Sequence, residues 1–147
     1  MFHITAAFFF VGGSVAAGIL NTLAIRAERP SETAALLRLV RVTLPVIFVG
    51  VFGTLVFGIW LWHERGYSLG AGWIWASLVL WVVANALGGI GGRHQERARE
   101  LAERLAAEGD VPNDELKGIL ADPKGNAVSW LAGLATLAIL VLMIWKP

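Results

Sequence analysis

Two side chains in this sequence, His3 and Met143, have the chemistry to bind a redox-active metal centre. A histidine nitrogen and a methionine sulfur are ligands used for haem iron and for copper in its reduced state. Phe10 and Trp81 are the candidates for the walls of such a pocket. The alternative is that neither residue binds a metal, so that His3 is an interfacial side chain and Met143 fills space in a core.

Most other chemistries are excluded by what the sequence lacks. It contains no cysteine, which rules out disulfides, thiolate metal sites and dithiol redox reactions. It has no HExxH motif, no nucleophile elbow and no nucleotide-binding loop, so we expect neither hydrolysis nor phosphoryl transfer. The net charge is only +1, so no nucleic acid is expected as a partner.

Four apolar stretches must position these residues. Residues 2–25, 42–62, 69–90 and 127–145 contain no Asp, Glu, Lys or Arg. Each has about 20 residues, and a helix of that length crosses the roughly 30 Å hydrocarbon core of a bilayer. The chain of 147 residues is 56% hydrophobic, which predicts a single membrane domain, 1–147, with the lipid bilayer as its partner. Without Asp, Glu, Lys or Arg in the spans, ion-coupled transport is not expected.

The orientation follows from the basic residues. Ten of the twelve Lys and Arg residues lie in two connecting segments, 26–41 and 92–126. The positive-inside rule places both segments in the cytoplasm, and both termini and the turn 63–68 outside a cell membrane. Indole rings favour the headgroup region, and five of them fall at the predicted outer ends of helices two to four: Trp60, Trp62, Trp73, Trp75 and Trp145.

The cytoplasmic segment after helix three is predicted to be helical. Residues 93–107 are strong helix formers with the i, i+4 ion pairs Arg99/Glu103 and Glu100/Arg104, so helix three should continue beyond the membrane. Gly109 should end it. A cap at residues 112–115 should open a short helix that stops before Pro123. The segment 26–41 is predicted to be a loop.

Small and polar residues predict how the helices assemble into an all-α, antiparallel four-helix bundle, because such residues hold membrane helices together. We expect Asn21, Asn85 and Ser129 to hydrogen bond with one another, and His3 to face Met143. Trp81 lies near mid-membrane, where its indole N–H needs a partner or a ligand. The predicted inward faces are His3, Ala7, Phe10, Ser14, Ala17 and Asn21; Gly50, Thr54 and Gly58; Ser77, Trp81, Asn85 and Gly88; and Asn126, Ser129, Gly133, Thr136, Leu140 and Met143.

The ladder of Gly50, Thr54 and Gly58 has two interpretations. Small residues four apart let another helix backbone approach closely. The ladder therefore packs either within one bundle or against a second copy in a homo-oligomer. His63 lies on the opposite side of helix two from Thr54 and is expected to face outward, which makes it a poor second metal ligand.

Several segments resemble an uncharacterised family of predicted integral membrane proteins: HITAAFFFVGG from His3, LLRLVR, WxWxxLVLW from Trp73, and the terminal MIWKP. That family is similar to the wider group of copper-resistance CopD-type proteins and HemJ-type protoporphyrinogen oxidases. HemJ-type proteins carry a histidine in helix one and bind haem b, so the resemblance implies haem on His3. They also carry a lysine in helix three, which residues 69–90 lack. The resemblance thus implies haem or metal binding without extending to protoporphyrinogen oxidation.

The sequence therefore predicts a membrane protein that binds a redox-active prosthetic group, b-type haem, near its outer leaflet. His3 would be the axial ligand and Met143 the second, with Phe10 and Trp81 lining the pocket. Two alternatives stay open: a copper-handling protein that uses the same ligands, and a cofactor-free structural or accessory subunit.

Overall fold

The computed structural model describes residues 1–66 and 72–145. The elements in this part of the chain are α1 (Phe2–Arg26), α2 (Pro30–Arg65), α3 (Gly72–Ala107), α4 (Asp114–Leu120) and α5 (Pro123–Trp145). Four stretches are long and apolar enough to cross a membrane: α1, α2, α3 and the stretch Asp114–Trp145 that ends in α5. The four predicted apolar helices are confirmed. The predicted turn 63–68 and the start of the predicted span 69–90 lie partly outside the described residues.

Helix α2 is longer than expected, which corrects the prediction of a loop over residues 26–41. It begins at Pro30 and runs for 36 residues. Proline favours the first helical position because its ring presets the backbone and its missing N–H is not needed there. Alanine, leucine and glutamate follow, and these are strong helix formers. Only residues 27–29 are left to connect α1 with α2.

Helices α1 and α2 pack closely because glycines line their contact. A Cβ atom on Gly50 would lie 2.7 Å from the Cα of Phe10, and one on Gly53 would lie 2.9 Å from the Cβ of Ala6. Nearer the start of α2, a Cβ on Gly13 would lie 2.7 Å from a side-chain carbon of Ile47. Residue numbers thus rise along α1 as they fall along α2. The glycines of the ladder serve packing within one chain.

Helices α3 and α5 form the second pair. A Cβ on Gly91 would lie 3.2 Å from the Oγ of Ser129, and one on Gly125 would lie 2.7 Å from the His94 ring. Helix α4 is tied to this pair because His94 Nε2 lies 2.8 Å from the Ile119 carbonyl oxygen. The short helix begins as predicted, since the Asn113 side chain accepts hydrogen bonds from two backbone N–H groups of α4.

The two helix pairs are joined at one end of the molecule. This end, here called the basic end, carries Arg26, Arg38, Arg41, Arg93 and Arg99. The opposite end, called the tryptophan end, carries Trp60, Trp75 and Trp145. A buried apolar core at the basic end combines residues of four helices: Ala24, Ala34, Leu37, Val40, Ala98, Leu101, Ala102, Leu116 and Leu120. The predicted helical extension of α3 beyond Ile90 is confirmed, and it supplies three of these residues. Helix α3 ends at Ala107, and Gly109 lies in the turn that follows it, with φ at +129°.

Candidate functional site

His3 lies between α1 and α2. Its Nδ1 atom is 3.0 Å from the backbone carbonyl oxygen of Thr54, and the side chain is half-buried. A carbonyl oxygen can only accept, so Nδ1 carries the hydrogen and donates it. In a neutral imidazole this assigns the basic lone pair to Nε2. The contact therefore fixes both the orientation of the ring and the nitrogen that has ligand character.

The ladder residues of α2 make room for that ring. The hydroxyl of Thr54 donates to the Gly50 carbonyl oxygen at 2.6 Å and is buried. One turn on, a Cβ on Gly58 would lie 3.2 Å from Cε1 and 3.5 Å from Nδ1 of His3. Glycine at position 58 thus lets the imidazole lie against the backbone of α2. The sequence identified this ladder but not that it holds His3, because a backbone carbonyl acceptor leaves no mark in the residue pattern.

Trp81 has an unsatisfied polar atom. Its indole Nε1 is buried and, among the described residues, is the one buried side-chain nitrogen or oxygen without a hydrogen-bond partner. The remainder of the ring is half-buried. Burying a donor without an acceptor costs about 1–3 kcal/mol, so such atoms are uncommon in folded proteins. The expectation that this indole finds a partner or a ligand stays a prediction, because no described residue supplies the acceptor.

Trp81 faces the junction between the two helix pairs. On α3, Gly91 contacts α5, while Glu96 forms an ion pair with Arg41 of α2 at 3.6 Å. With 3.6 residues per turn, and measured around the axis of α3, Trp81 lies about 80° from Gly91 in one direction and about 60° from Glu96 in the other. The indole is thus on the arc of α3 between its contact with α5 and its contact with α2.

His3 and Trp81 lie at a similar height in the bundle. Starting from the Arg41–Glu96 pair, Gly58 is 17 residues further along α2 and Trp81 is 15 residues back along α3. At about 1.5 Å per residue, these are about 25 Å and about 23 Å toward the tryptophan end. Gly58 is in turn the neighbour of His3. The contacts of His3 in this region are with Thr54 and Gly58 of α2, within the α1–α2 pair.

The two other predicted site residues are placed differently. Phe10 is half-buried on α1, and its backbone packs against Gly50, two turns from His3 toward the basic end. Met143 is half-buried near the end of α5. Helix α5 packs on α3 and α1 packs on α2, and α1 and α5 share at most a marginal contact. The packing therefore unites His3 with Thr54 and Gly58, and the pairing of His3 with Met143 stays a prediction.

The polar residues expected to bond across the bundle bond within their own helices instead. The Asn85 side chain donates to the Trp81 carbonyl oxygen at 2.7 Å, and the Ser129 hydroxyl donates to the Gly125 carbonyl oxygen at 3.2 Å. A carbonyl four residues back is the nearest acceptor that a short polar side chain in a helix can reach. The prediction of an Asn21, Asn85 and Ser129 cluster is thus corrected for its last two members.

At the basic end, ion pairs hold α2 and α3 together. Arg99 is largely buried, with 12% of its side chain exposed, and it binds both Glu96 at 2.6 Å and Glu103 at 2.8 Å. Hydrogen bonding by Arg99 lowers the pKa of Glu96, and hydrogen bonds from Arg38 and then Arg99 lower the pKa of Glu103. The predicted Arg99/Glu103 pair is confirmed. This network is structural in character, and no group of three or more His, Asp or Glu residues in the described chain is arranged to hold a metal ion.

Comparison with known proteins identifies the family. The model of a family described as predicted integral membrane protein (DUF2269) matches residues 1–147, so the chain belongs to that family. As an integral membrane protein, it lies in a lipid bilayer. No curated protein matches the chain, and no solved structure matches it either.

Proposed function

We propose that this protein binds b-type haem within the membrane, with His3 as the axial ligand of the iron. The observation that carries the proposal is the hydrogen bond from His3 Nδ1 to the Thr54 carbonyl oxygen. Histidines that bind metals through one ring nitrogen commonly donate the other N–H to a carbonyl or carboxylate, which fixes the tautomer and raises the basicity of the ligand. The resemblance to the CopD and HemJ group supports the same assignment.

The surroundings of His3 suit a porphyrin. The site lies between helices whose spans carry no Asp, Glu, Lys or Arg, and Phe10 lies further along the same face. Trp81, whose indole N–H is buried without a partner, is the other proposed residue of the pocket wall. When bound there, haem would supply one-electron or small-ligand chemistry. The role of the chain is to hold the imidazole in place, exclude water and satisfy the edges of the group.

No residue is assigned with the same support as the second axial ligand of the iron. Met143 was the sequence-based candidate, and it lies on the helix pair that does not contain His3. The proposal therefore rests on His3 alone. We expect Met143→Leu to leave the absorption spectrum of the haem unchanged, whereas a methionine ligand would make that variant lose its low-spin signature.

The absorption spectrum of protein purified after expression with ample haem tests the proposal. We expect a Soret band that His3→Ala abolishes or strongly shifts. His63→Ala is the matched control, since His63 is the exposed histidine near the end of α2 and should not matter. A colourless wild-type protein would refute the haem proposal. Bound copper in that colourless protein, by metal analysis, would favour the copper-handling alternative, and the absence of both would favour an accessory subunit.

The proposal includes the arrangement of the chain in a cell membrane, as an antiparallel four-helix bundle with the basic end in the cytoplasm and both termini outside. The distribution of Lys and Arg supports it. Single cysteines can be introduced at two exposed positions, Glu64 near the tryptophan end and Val111 after α3. A membrane-impermeant thiol reagent added to intact cells should label Glu64→Cys and leave Val111→Cys unlabelled. The reverse pattern would show that the orientation is inverted.

A further inference from the structure

We infer that a groove between the end of α1 and the start of α2 binds phosphatidylethanolamine, with Arg26 on the phosphate and Glu32 on the ammonium group of the lipid. The inference goes beyond the proposed function and does not depend on it, because Arg26 lies about 35 Å along α1 from His3. The groove has a volume of about 520 Å³. Binding sites for small molecules typically measure about 300–1,000 Å³. The residues that line the groove are Leu23, Arg26, Ala27, Glu32, Ala35 and Leu36.

The first argument is that the groove holds two opposite charges that do not pair with each other. Arg26 and Glu32 are both exposed, and neither forms an ion pair with any residue that the structure describes. Arg38, further along α2, is by contrast paired with Glu103. A guanidinium group binds phosphate well, and a carboxylate accepts hydrogen bonds from an ammonium group. The groove therefore offers one partner to each charge of a zwitterionic headgroup.

The second argument is the depth of the groove in the bilayer. Trp60 belongs to the indoles at the tryptophan end, and such rings mark the boundary of the membrane. From Trp60, the roughly 30 Å of hydrocarbon is crossed by about 20 residues of α2 and ends near Val40. Leu36 lies about 6 Å beyond that point, and the headgroup layer adds about 5–8 Å on each side of the hydrocarbon. The groove is therefore at the level of the lipid headgroups.

The third argument is the order of the groups along the groove. Gly13 of α1 lies beside Ile47 of α2, and the same register places Arg26 level with Ala34. Glu32 is two residues, or about 3 Å, farther from the hydrocarbon than Ala34. The two leucines of the groove lie on the hydrocarbon side of both charges. Apolar, cationic and anionic groups thus follow one another outward, as the acyl chains, the phosphate and the ammonium group do in phosphatidylethanolamine.

The fourth argument is that the charges around the groove balance. The segment 26–32 carries two arginines and two glutamates, and its net charge is zero: Arg26, Glu28, Arg29 and Glu32. An anionic lipid would be attracted by Arg26 and repelled by Glu32. A zwitterionic lipid with an N–H donor satisfies both side chains. The local charge therefore favours phosphatidylethanolamine over an anionic phospholipid.

Titrations of the purified protein in detergent with single phospholipids test the inference, with bound lipid counted by native mass spectrometry. The probes have identical acyl chains. They are phosphatidylethanolamine, phosphatidylcholine, whose methylated nitrogen has no N–H to donate, and phosphatidylglycerol, which is anionic and has no nitrogen. We expect the wild-type protein to bind phosphatidylethanolamine about fivefold more tightly than either of the others, the equivalent of one exposed charge pair.

Single substitutions assign the two contacts. Glu32→Gln should bind phosphatidylethanolamine about fivefold more weakly than wild type and phosphatidylglycerol no more weakly. Arg26→Gln should bind all three lipids more weakly, because each carries a phosphate. Glu28→Gln and Arg29→Gln are the matched controls, since they make the same changes of charge at exposed residues outside the groove. Both controls should bind each lipid as wild type does.

Several results would overturn the inference. Equal wild-type affinities for phosphatidylethanolamine and phosphatidylcholine would do so, as would equal losses in Glu32→Gln and Glu28→Gln. A preference for phosphatidylglycerol that depends on Arg26 would show a site for anionic lipid instead. Should a variant fail to fold, the order of the wild-type affinities for the three lipids decides. The Soret band of the same samples tests the proposed function separately, because Glu32→Gln should leave haem binding at His3 unchanged.

Discussion

The close approach of α1 to α2 at Gly50 makes Gly50→Ala the most demanding test of the packing. The added Cβ would lie 2.7 Å from the Cα of Phe10 and 2.9 Å from the carbonyl oxygen of Ala6. Both are backbone atoms, so no side chain can rotate away and the helices must separate by roughly 1 Å. Overpacking of this kind costs about 1–3 kcal/mol. The substitution gains about 0.5–1 kcal/mol because alanine favours a helix more than glycine does. The expected net loss is therefore about 1 kcal/mol from the middle of these ranges, and at most about 2.5 kcal/mol.

Thermal unfolding of the purified protein in detergent measures this loss, and a loss of about 1 kcal/mol should lower the Tm by about 2–4 °C. The controls are Gly12→Ala and Gly18→Ala, since a Cβ at either position on α1 would meet no atom within 4 Å. These two variants should be as stable as wild type or slightly more stable. If Gly50→Ala unfolded at the same temperature as Gly18→Ala, the α1–α2 contact described above would be refuted.

Two further predictions concern the basic end. Gly125→Ala would place a Cβ 2.7 Å from Nε2 of His94, so we expect the ring to lose its hydrogen bond to α4. Thermal unfolding should then show that the protein has lost about 1 kcal/mol or more of stability. Gly118→Ala is the control, because a Cβ at position 118 would meet no atom within 4 Å and should cost no stability. Hydrogen bonds from the hydroxyl and backbone N–H of Ser31 lower the pKa of Asp110 from its ordinary value of 3.8. The stability that these hydrogen bonds contribute should be complete above pH 3.8 and disappear as the pH falls through the lowered pKa. In a plot of Tm against pH, the fall of Tm at acid pH should therefore be smaller for Ser31→Ala than for wild type. An identical acid loss in that variant would contradict this account.

The elements of this fold could be predicted because they depend on local composition. Spans without charged residues, the Arg99–Glu103 pair and the Asn113 cap each involve residues close in sequence, and the structure contains all three. The prediction for the start of α2 was wrong because the basic residues of the segment 26–41 were taken to mark a loop. Arginine is a good helix former, and Pro30 opens a helix whose residues Leu37 and Val40 are buried in the apolar core at the basic end.

The arrangement of the helices was harder to predict than the helices themselves. A face of small and polar residues shows which side of a helix is buried, and it does not show which neighbour buries it. The His3–Met143 pair assumed that helices one and four are adjacent, whereas the closest packing is of α1 on α2 and of α5 on α3. The contact between His3 and Thr54 is invisible to sequence reasoning because any residue could supply that carbonyl. The sequence singled out the indole of Trp81 by its depth, and it could not show whether a neighbouring residue supplies an acceptor.

The register between α1 and α2 determines where the proposed site lies in the bilayer. Because Gly13 lies beside Ile47 and His3 beside Gly58, α1 is displaced toward the basic end relative to the uncharged part of α2. His3 is therefore level with a point seven residues, or about 10 Å, before the end of α2 at Arg65. In the proposed orientation this is below the ring of tryptophans rather than at the water surface. Water would compete poorly for the iron of a haem bound there, and polar contacts in a site of low polarity are strong. If His3 binds haem as proposed, the displacement of α1 is what would let a ligand close to the start of a helix hold a group inside the membrane.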